Sequence, residues 1–370
     1  MRGRCNLQVT MLAFIDLEER VPPDHPLRAI KTLADRAPAE LSPTFDTMYA
    51  VGGRPSIPPE RLLKASLLIA LYSVRSERAF CEELDYNLLF RWFLDMDLLE
   101  PSFAPTVFTK NRARLLEHQV GQQLFDEVVA HAHEGGLLSD EHFTVDGTLI
   151  EAAASLKSFK RKDGQPPRAT DSDNGNPSID FHGERRSNAT HQSATDPEAR
   201  LTRKGKGKEA KLVFMAHALM ENRHGLLVDF QVSHASGTAE RDMVPKLLDQ
   251  AKERHFRPKT LGADKNYNTR DCVGAMRERR VTAHVAQNTS GRRSAIDGRT
   301  ARHPGYEVSQ RIRKRVEEIF GWMKTVGGFR RTRYRGLEKT GLAGYLVATA
   351  YNLIRLGRLP TQTAAPPTAG

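Results

Sequence analysis

From Pro58 to Leu116, apolar residues recur at the three- and four-residue spacing of helices. In PPERLLKASLLIALYSV, which begins at Pro58, this spacing predicts a helix with prolines in its first turn. Ser76 is a candidate N-cap for a second helix and Thr106 for a third, and GQQLFDEVVAHAHEGGLL predicts a fourth. Short connections between them favour a helix-turn-helix-like arrangement. The alternative is an ordinary helical bundle with a solvated basic face.

The pattern changes after about residue 138, where β-branched and aromatic runs alternate with turn residues. Strands are predicted in HFTVDGTLIEA, KLVFMAHALM, GLLVDFQVSHA, KTLGADKNY and VTAHVAQ, and helices in GTAERDMVPKLLDQAKER, NTRDCVGAMRERR and VSQRIRKRVEEIFGWMKTV. The order βββαβαβα is that of the ribonuclease H-like fold, a mixed sheet with helices on both faces. The alternative is a generic α/β sheet.

These patterns divide the chain into an all-α domain over residues 1–120 and an α/β domain over residues 138–357. Residues 155–209 contain little apolar material and much Asp, Asn, Gly, Pro, Ser and Lys. That composition predicts a partly disordered insertion outside the core. Residues 358–370 are expected to form a disordered tail.

Composition and charge narrow the class of partner. Of the 370 residues, 39% are hydrophobic and 27% charged, which is typical of a globular protein. Lys and Arg total 56 against 45 Asp and Glu, a net charge of +11 that points to a polyanion, with nucleic acid as the first candidate. A ribosome-associated or membrane-surface protein could have the same balance.

Cysteine usage and hydropathy bear on the compartment. Cys5, Cys81 and Cys272 lie far apart without a CxxC, so a disulfide framework and a zinc ribbon are both excluded. The sequence has no signal-peptide pattern and no apolar run near the roughly 20 residues of a membrane span. We therefore expect a cytoplasmic protein, associated with the nucleoid if its partner is DNA.

Positive charge is concentrated in two places. Lys110, Arg112 and Arg114 lie on the last of the three helices predicted before residue 120. Residues 310–335 contain nine basic residues and two acids, with Phe329 and Tyr334 among them. The basic residues are predicted to contact phosphates: Arg311, Arg313, Lys314, Arg315, Lys324, Arg330, Arg331, Arg333 and Arg335.

Three acids could meet at one point of the predicted sheet. Asp146 lies in the first strand, Asp264 ends the fourth, and either Glu317 or Glu318 lies on the last helix. Only a fold that sets the first and fourth strands side by side brings them together. Carboxylate oxygens converging there suit Mg²⁺ or Mn²⁺.

Each acid also has an ordinary explanation. Asp146-Gly147 is a type I′ hairpin signal, Asp264 could simply end a strand, and both glutamates could form i,i+4 ion pairs with nearby arginines. The helical wheel does not choose between Glu317 and Glu318.

Long blocks of the chain resemble the DDE-type transposases of bacterial insertion sequences, in the group uniting the fourth and fifth insertion-sequence families and closest to the fifth. The N-terminal block is GRPSIPPERLLKASLLIALYSVRSERAFCEELDYNLLFRWFLDMD. HFTVDGTLIEA resembles the first catalytic strand, LGADKNYNTRD the second, and RIRKRVEEIFGWMKTVGGFRRTRYRG the C-terminal signature. The resemblance covers nearly the whole chain.

The C-terminal signature of that family is a tyrosine, an arginine, the catalytic glutamate and a lysine at fixed gaps. Arg313, Glu317 and Lys324 match the last three elements, which selects Glu317 over Glu318, whereas Gln310 stands where the family has tyrosine. The resemblance therefore implies Asp146, Asp264 and Glu317 as the metal-binding triad, with Arg313 and Lys324 contacting DNA phosphate.

The function implied is DNA transposition: cleavage at the ends of a mobile element and transfer of 3′-hydroxyl ends to target DNA, with Mg²⁺ or Mn²⁺ as cofactor. Terminal inverted repeats and target DNA are the expected partners, within a homo-oligomeric complex, and residues 1–120 are expected to bind the element ends. The alternatives are a DNA-binding protein with a degenerate nuclease domain and a metal-dependent DNA nuclease. An RNA-binding protein would leave the spaced acids unexplained.

Overall fold

A computed structural model of the chain describes residues 14–359, except 51, 54, 164–179, 182–183, 206 and 292. The described strands are β1 (His142–Glu151), β2 (Phe159–Arg161), β3 (Asp180–Phe181), β4 (Glu184–Arg185), β5 (His191–Ser193), β6 (Arg200–Arg203), β7 (Ala210–Glu221), β8 (Leu226–His234), β9 (Thr260–Ala263) and β10 (Thr282–Val285).

Eight helices precede β1 in the described part of the chain: α1 (Leu17–Arg20), α2 (Leu27–Glu40), α3 (Ser42–Met48), α4 (Pro59–Leu71), α5 (Glu77–Leu84), α6 (Leu88–Phe93), α7 (Thr106–Glu117) and α8 (Val120–Glu134). Ser76 caps α5 as predicted, with its side chain accepting from the amide of Ala79. The predicted cap at Thr106 is wrong. Thr106 is the first residue of α7, and the N-cap position is held by Pro105, which has no side-chain acceptor.

The remaining helices flank the sheet: α9 (Ala239–Glu253), α10 (Arg270–Glu278), α11 (Gly298–Arg302), α12 (Pro304–Ile312), α13 (Arg315–Thr325) and α14 (Leu337–Arg358). The single helix predicted over VSQRIRKRVEEIFGWMKTV is divided into α12 and α13. At the junction the amides of Val316 and Glu317 donate to the carbonyls three residues earlier, at Arg313 and Lys314. The division is therefore a tightened turn between two nearly continuous helices.

The main sheet has the predicted strand order. β1, β7 and β8 form an antiparallel meander, and β9 and β10 lie parallel to β1 in the order β10-β9-β1-β7. The βββαβαβα order and the ribonuclease H-like mixed sheet are confirmed. Because β1 continues without a turn through Asp146 and Gly147, the hairpin alternative for that dipeptide is wrong.

Part of the polar segment 155–209 is folded onto the sheet, contrary to the expectation that it lies outside the core. β2 pairs with β5, and β6 pairs with the first residues of β7. Phe159 and Ala199 are 2% and 1% exposed and pack with Leu212 and Phe214 of β7. A few well-spaced apolar residues suffice because the sheet already offers an edge and an apolar face. Residues 164–179 lie outside the described residues, as do 360–370 of the expected tail.

The 22-residue helix α14 has no counterpart in the predicted elements. It packs against β8 on one side and against α2, α4 and α8 on others, so the N-terminal helices and the sheet share one hydrophobic core. Ala348, Ala350 and Leu353 are completely buried. Apolar residues on several of its faces weaken the amphipathic signal that would reveal such a helix. In the described part of the chain, no helix meets the length and apolarity that crossing a membrane requires.

Candidate active site

The two strands that carry aspartates run side by side. β1 and β9 pair in parallel with a constant offset of 118 positions, from His142 with Thr260 to Thr144 with Gly262. Asp146 and Asp264 have the same offset, so they stand level with each other just beyond the last pair of the ladder. Past that pair β9 gives way to a 3₁₀ turn (Lys265–Tyr267), which leaves this edge of β1 open at Asp146. The predicted adjacency of the first and fourth strands is confirmed.

Both aspartates are half-buried and oriented by backbone amides. Asp146 Oδ1 accepts from the amide of Gly147 at 2.8 Å, and Asp264 Oδ1 accepts from the amide of Asn266 at 2.7 Å. The pKa of Asp146 is raised to about 6, chiefly by burial and also by the negative charges of Asp264 and Glu317, while the Gly147 amide and Arg313 oppose the rise. The carboxylates of the predicted triad are therefore close enough to repel one another.

The two candidate glutamates on α13 face different neighbours. The charge of Glu317 acts on Asp146, whereas the charge of Glu318 acts on Tyr351 of α14 and raises the pKa of that phenol, which burial raises first. Glu317 is exposed to solvent. Glu317 is therefore the glutamate of this pair whose charge acts on the aspartate of β1, whereas the charge of Glu318 acts on α14.

Gln310, at the position where the family has tyrosine, links α12 to the sheet. Its Nε2 donates to the carbonyl of His284 on β10 at 2.5 Å, and its Oε1 accepts from Arg313 Nε at 3.1 Å. The glutamine therefore holds the guanidinium of Arg313 beside the cleft, where its positive charge acts on Asp146.

Lys324 lies in the last turn of α13, and its side chain also contacts β1. Its Nζ donates to Thr148 Oγ1 at 2.5 Å. Burial lowers the pKa of Lys324, and the neighbouring charges of Lys204 and Arg330 lower it further. Thr148 is two positions from Asp146 in an uninterrupted strand and so points to the same face of the sheet. Arg313 and Lys324 consequently flank the aspartates.

The other predicted DNA contacts fall into two groups. Side chains of the first group are tied within the molecule. Arg112 pairs with Glu77 and lies 4.4 Å from the Tyr334 ring, while Arg114 donates to Asn111 and lies 5.0 Å from the Tyr49 ring. Arg331 donates to the carbonyl of Ala152 and Arg333 to that of Val74. These contacts join α7 and the α4–α5 connection to the segment after α13.

The second group is open to solvent. Lys110, Arg330 and Arg335 are exposed, and within the described ranges none of their side chains has a hydrogen bond or ion pair with another residue. These three remain available to an external anion, in contrast to Arg112, Arg331 and Arg333.

A fourth acid stands at the same place, and the sequence analysis missed it. Glu240, in the first turn of α9, packs against Gly147 from the face of the sheet opposite Thr148. The pKa of Glu240 is raised to about 7, chiefly by burial and also by the charges of Asp146 and Asp264. The only sequence signal was an acid near the start of a helix, which is common for capping reasons alone.

The chemistry of these residues fits a divalent cation. Hard carboxylate oxygens are the donors that Mg²⁺ and Mn²⁺ prefer, and a cation would relieve the repulsion that raises the pKa of Asp146. The triad is nevertheless spread out. Among the described residues, only Glu40, Glu127 and His131 bring ligand atoms within 4.8 Å of one another.

That second group lies on α2 and α8 and contains none of the predicted ligands. Glu40 Oε2 and His131 Nε2 are 2.9 Å apart, and burial followed by the charge of Glu40 raises the pKa of Glu127 to about 7. Its side chains therefore link two helices through hydrogen bonds.

Fold and site together define a ribonuclease H-like domain with a group of acids at the open edge of its sheet. Two family models match the chain: "Transposase domain (DUF772)" over residues 15–114 and "Transposase DDE domain" over residues 138–353. The second match covers more than half of the chain. The protein belongs to the family of transposases with a DDE domain, which confirms the resemblance found in the sequence.

Solved structures of low similarity include two of Mos1 transposase. The paired-end complex with the left transposon end is 9% identical with a TM-score of 0.20, over 66% of this chain and 65% of that chain. The strand transfer complex is 10% identical with a TM-score of 0.21, over 76% and 82%. The chain thus spans slightly less than two thirds of the first of these proteins.

Proposed function

We propose that the protein is the transposase of an insertion sequence, which cuts DNA at the ends of its element and joins the freed 3′ ends to target DNA. One observation carries this proposal: Asp146 and Asp264 lie side by side on adjacent parallel strands, and the charge of Glu317 acts on Asp146. We assign these three acids as the ligands of divalent ions.

When bound, Mg²⁺ or Mn²⁺ would polarise the scissile phosphate and activate the attacking oxygen. Asp146, Asp264 and Glu317 would hold these ions, because carboxylate oxygens are the donors that such cations prefer. The nucleophile in the first step is water, whose oxygen attacks phosphorus as the bond to the 3′ oxygen breaks. In the second step the freed 3′ hydroxyl attacks a target phosphodiester, forms the new bond and releases a 3′ hydroxyl of the target.

The side chains around the acids hold the DNA. Arg313 and Lys324 flank the aspartates with donors fixed by Gln310 and Thr148, so they can position a phosphate for in-line attack. Lys110, Arg330 and Arg335 are exposed and suited to phosphates further along the backbone. Arg112, Arg114, Arg331 and Arg333 already have partners within the chain, so we assign them mainly to holding the helical region against the sheet.

The remaining parts of the proposal concern the assembly. Residues 1–120 would bind the terminal repeats, and the active complex would be a homo-oligomer on DNA in the cytoplasm, at the nucleoid. The alternative of a degenerate domain that binds ends without cutting is disfavoured because every acid of the site is present.

The test is cleavage and strand transfer with the full-length protein, Mg²⁺ and a DNA fragment carrying the gene with its flanking sequence. Asp146→Asn, Asp264→Asn and Glu317→Gln each keep the shape of the side chain but remove its charge, so each should abolish both reactions. Glu318→Gln is the matched control on the same helix and should retain activity. Loss of activity in Glu318→Gln but not in Glu317→Gln would refute the assignment.

A further inference from the structure

Glu240 packs closely against the backbone of β1 at Gly147. Gly147 follows Asp146 in β1, and a Cβ built on this glycine would lie 2.7 Å from Glu240 Cγ and 3.0 Å from Glu240 Oε1. A Cβ at this position would therefore force the Glu240 side chain to move away. Glycine at position 147 therefore lets the carboxylate of Glu240 approach the backbone beside Asp146.

Among the described residues this carboxylate has no directly bonded partner, although the nearby charge of Arg241 partly opposes the repulsion from the aspartates. In the part of the chain that the structure describes, the Glu240 side chain forms no hydrogen bond and no ion pair, although it is half-buried and the charges of Asp146 and Asp264 act on it. Half-buried carboxylates are normally paired, because withdrawing a charge from water is costly. An external cation would supply the missing partner.

A second, independent feature points to a missing ligand. Tyr267 is 0% exposed, and within the described ranges its hydroxyl has no hydrogen-bond partner. Burial and then the charges of Glu240, Asp146 and Asp264 raise the pKa of this phenol far above its ordinary value. A buried hydroxyl among three carboxylates is thus unsatisfied, which is rare in a completed site.

We propose that Glu240 is a fourth carboxylate ligand of the divalent-ion site, reaching it from α9 while Glu317 reaches it from α13. Alternate residues of β1 point to opposite faces, with Gly147 toward α9 and Thr148 toward α13, so the two glutamates approach the aspartates from opposite sides. The inference rests on the proposed function, since Asp146 and Asp264 must themselves be ligands.

The test measures Mn²⁺ binding to the full-length protein without DNA, by the electron paramagnetic resonance signal of free Mn²⁺. Glu240→Gln keeps the shape of the side chain and should weaken binding of Mn²⁺ by roughly ten- to a hundredfold. Glu240→Asp keeps the charge and should lose less. Glu253→Gln, an exposed glutamate on the same helix, is the matched control and should bind as the wild type does.

Thermal unfolding gives a readout that a purely structural role would not produce. Without metal, Glu240→Gln should unfold at a higher temperature than the wild type, because one of the crowded negative charges is gone. The rise in unfolding temperature on adding Mn²⁺ should be smaller in the same variant. A variant that loses stability without metal while keeping its Mn²⁺ affinity would mark Glu240 as a packing residue.

The outcomes separate the two proposals. Wild-type Mn²⁺ binding by Asp146→Asn and Asp264→Asn would overturn the metal site and with it the proposed function. If those variants lose binding while Glu240→Gln binds Mn²⁺ as well as Glu253→Gln does, only the role of Glu240 is overturned.

Discussion

Replacing His217 with glutamine should make the protein's stability less sensitive to acid. His217 lies on β7 opposite Gly147, is 0% exposed, and its Nε2 is 2.8 Å from Ser233 Oγ. Burial lowers its pKa to about 3, and the positive charge of Lys246 on α9 contributes to the decrease. The unfolded imidazole has an ordinary pKa near 6.5.

The sign follows from proton uptake. Below pH 6.5 the His217 imidazole binds a proton in the unfolded chain, whereas in the folded chain it stays neutral down to about pH 3. Stability is therefore lost as the pH falls through this window. Because pH 5.0 is about 1.5 units below the unfolded pKa, the free energy of unfolding at pH 5.0 should be lower by about 2 kcal/mol. Glutamine can keep the bond to Ser233 but does not titrate, and so should remove this loss.

The assay is urea unfolding of both proteins at pH 7.5 and pH 5.0. His142, whose pKa burial lowers to about 4, and Asp229, whose pKa burial raises to about 6, titrate in both proteins, so their effects cancel in the difference. His133→Gln, an exposed histidine, is the control and should leave the pH dependence unchanged. An equal loss of stability in the wild type and His217→Gln would refute the reasoning.

Two further predictions concern packing and the DNA contacts. On α14, Gly344→Ala should destabilise the protein by about 1–3 kcal/mol, because a Cβ there would lie 2.4 Å from Phe230 Cε1. Gly341→Ala places its Cβ where no atom lies within 4 Å and should stabilise the protein by up to about 1 kcal/mol. Denaturant unfolding would compare the two variants, and equal effects would contradict the packing of α14. Lys324→Met should slow cleavage at saturating DNA by roughly a hundredfold, because the scissile phosphate would be misplaced. Arg335→Met should mainly weaken DNA binding and lower the slope of log affinity against log salt by roughly one. An unchanged rate and an unchanged slope in both variants would mean that the basic segment is ordinary solvated surface.

The sequence predicted those parts of the fold whose signal is local. Strands with β-branched residues and helices with regular apolar spacing were found in the correct order, and that order alone predicted the adjacency of β1 and β9. Helix α14 was missed because burial on several faces removes the periodicity on which such predictions depend. The fold of residues 187–203 was missed because pairing with an existing sheet needs few apolar residues.

The same distinction applies to the site. The proximity of Asp146, Asp264 and Glu317 could be predicted because the family resemblance groups these positions, and the separation of 118 positions between the aspartates is the register of a parallel ladder. The basic residues are harder to assign, because charge in a sequence does not reveal whether an arginine faces solvent or, like Arg333, a backbone carbonyl in the α4–α5 connection.

Glu240 shows why a site cannot be completed from motifs alone. Its position beside Asp146 depends on the missing side chain of Gly147 and on the end of the β1–β9 pairing before Asp146. It also depends on helix α9, which packs on the face of the sheet opposite Thr148. None of these is encoded as a spacing between acids. A carboxylate becomes a candidate ligand only when its surroundings leave it without a partner, and that property belongs to the folded chain.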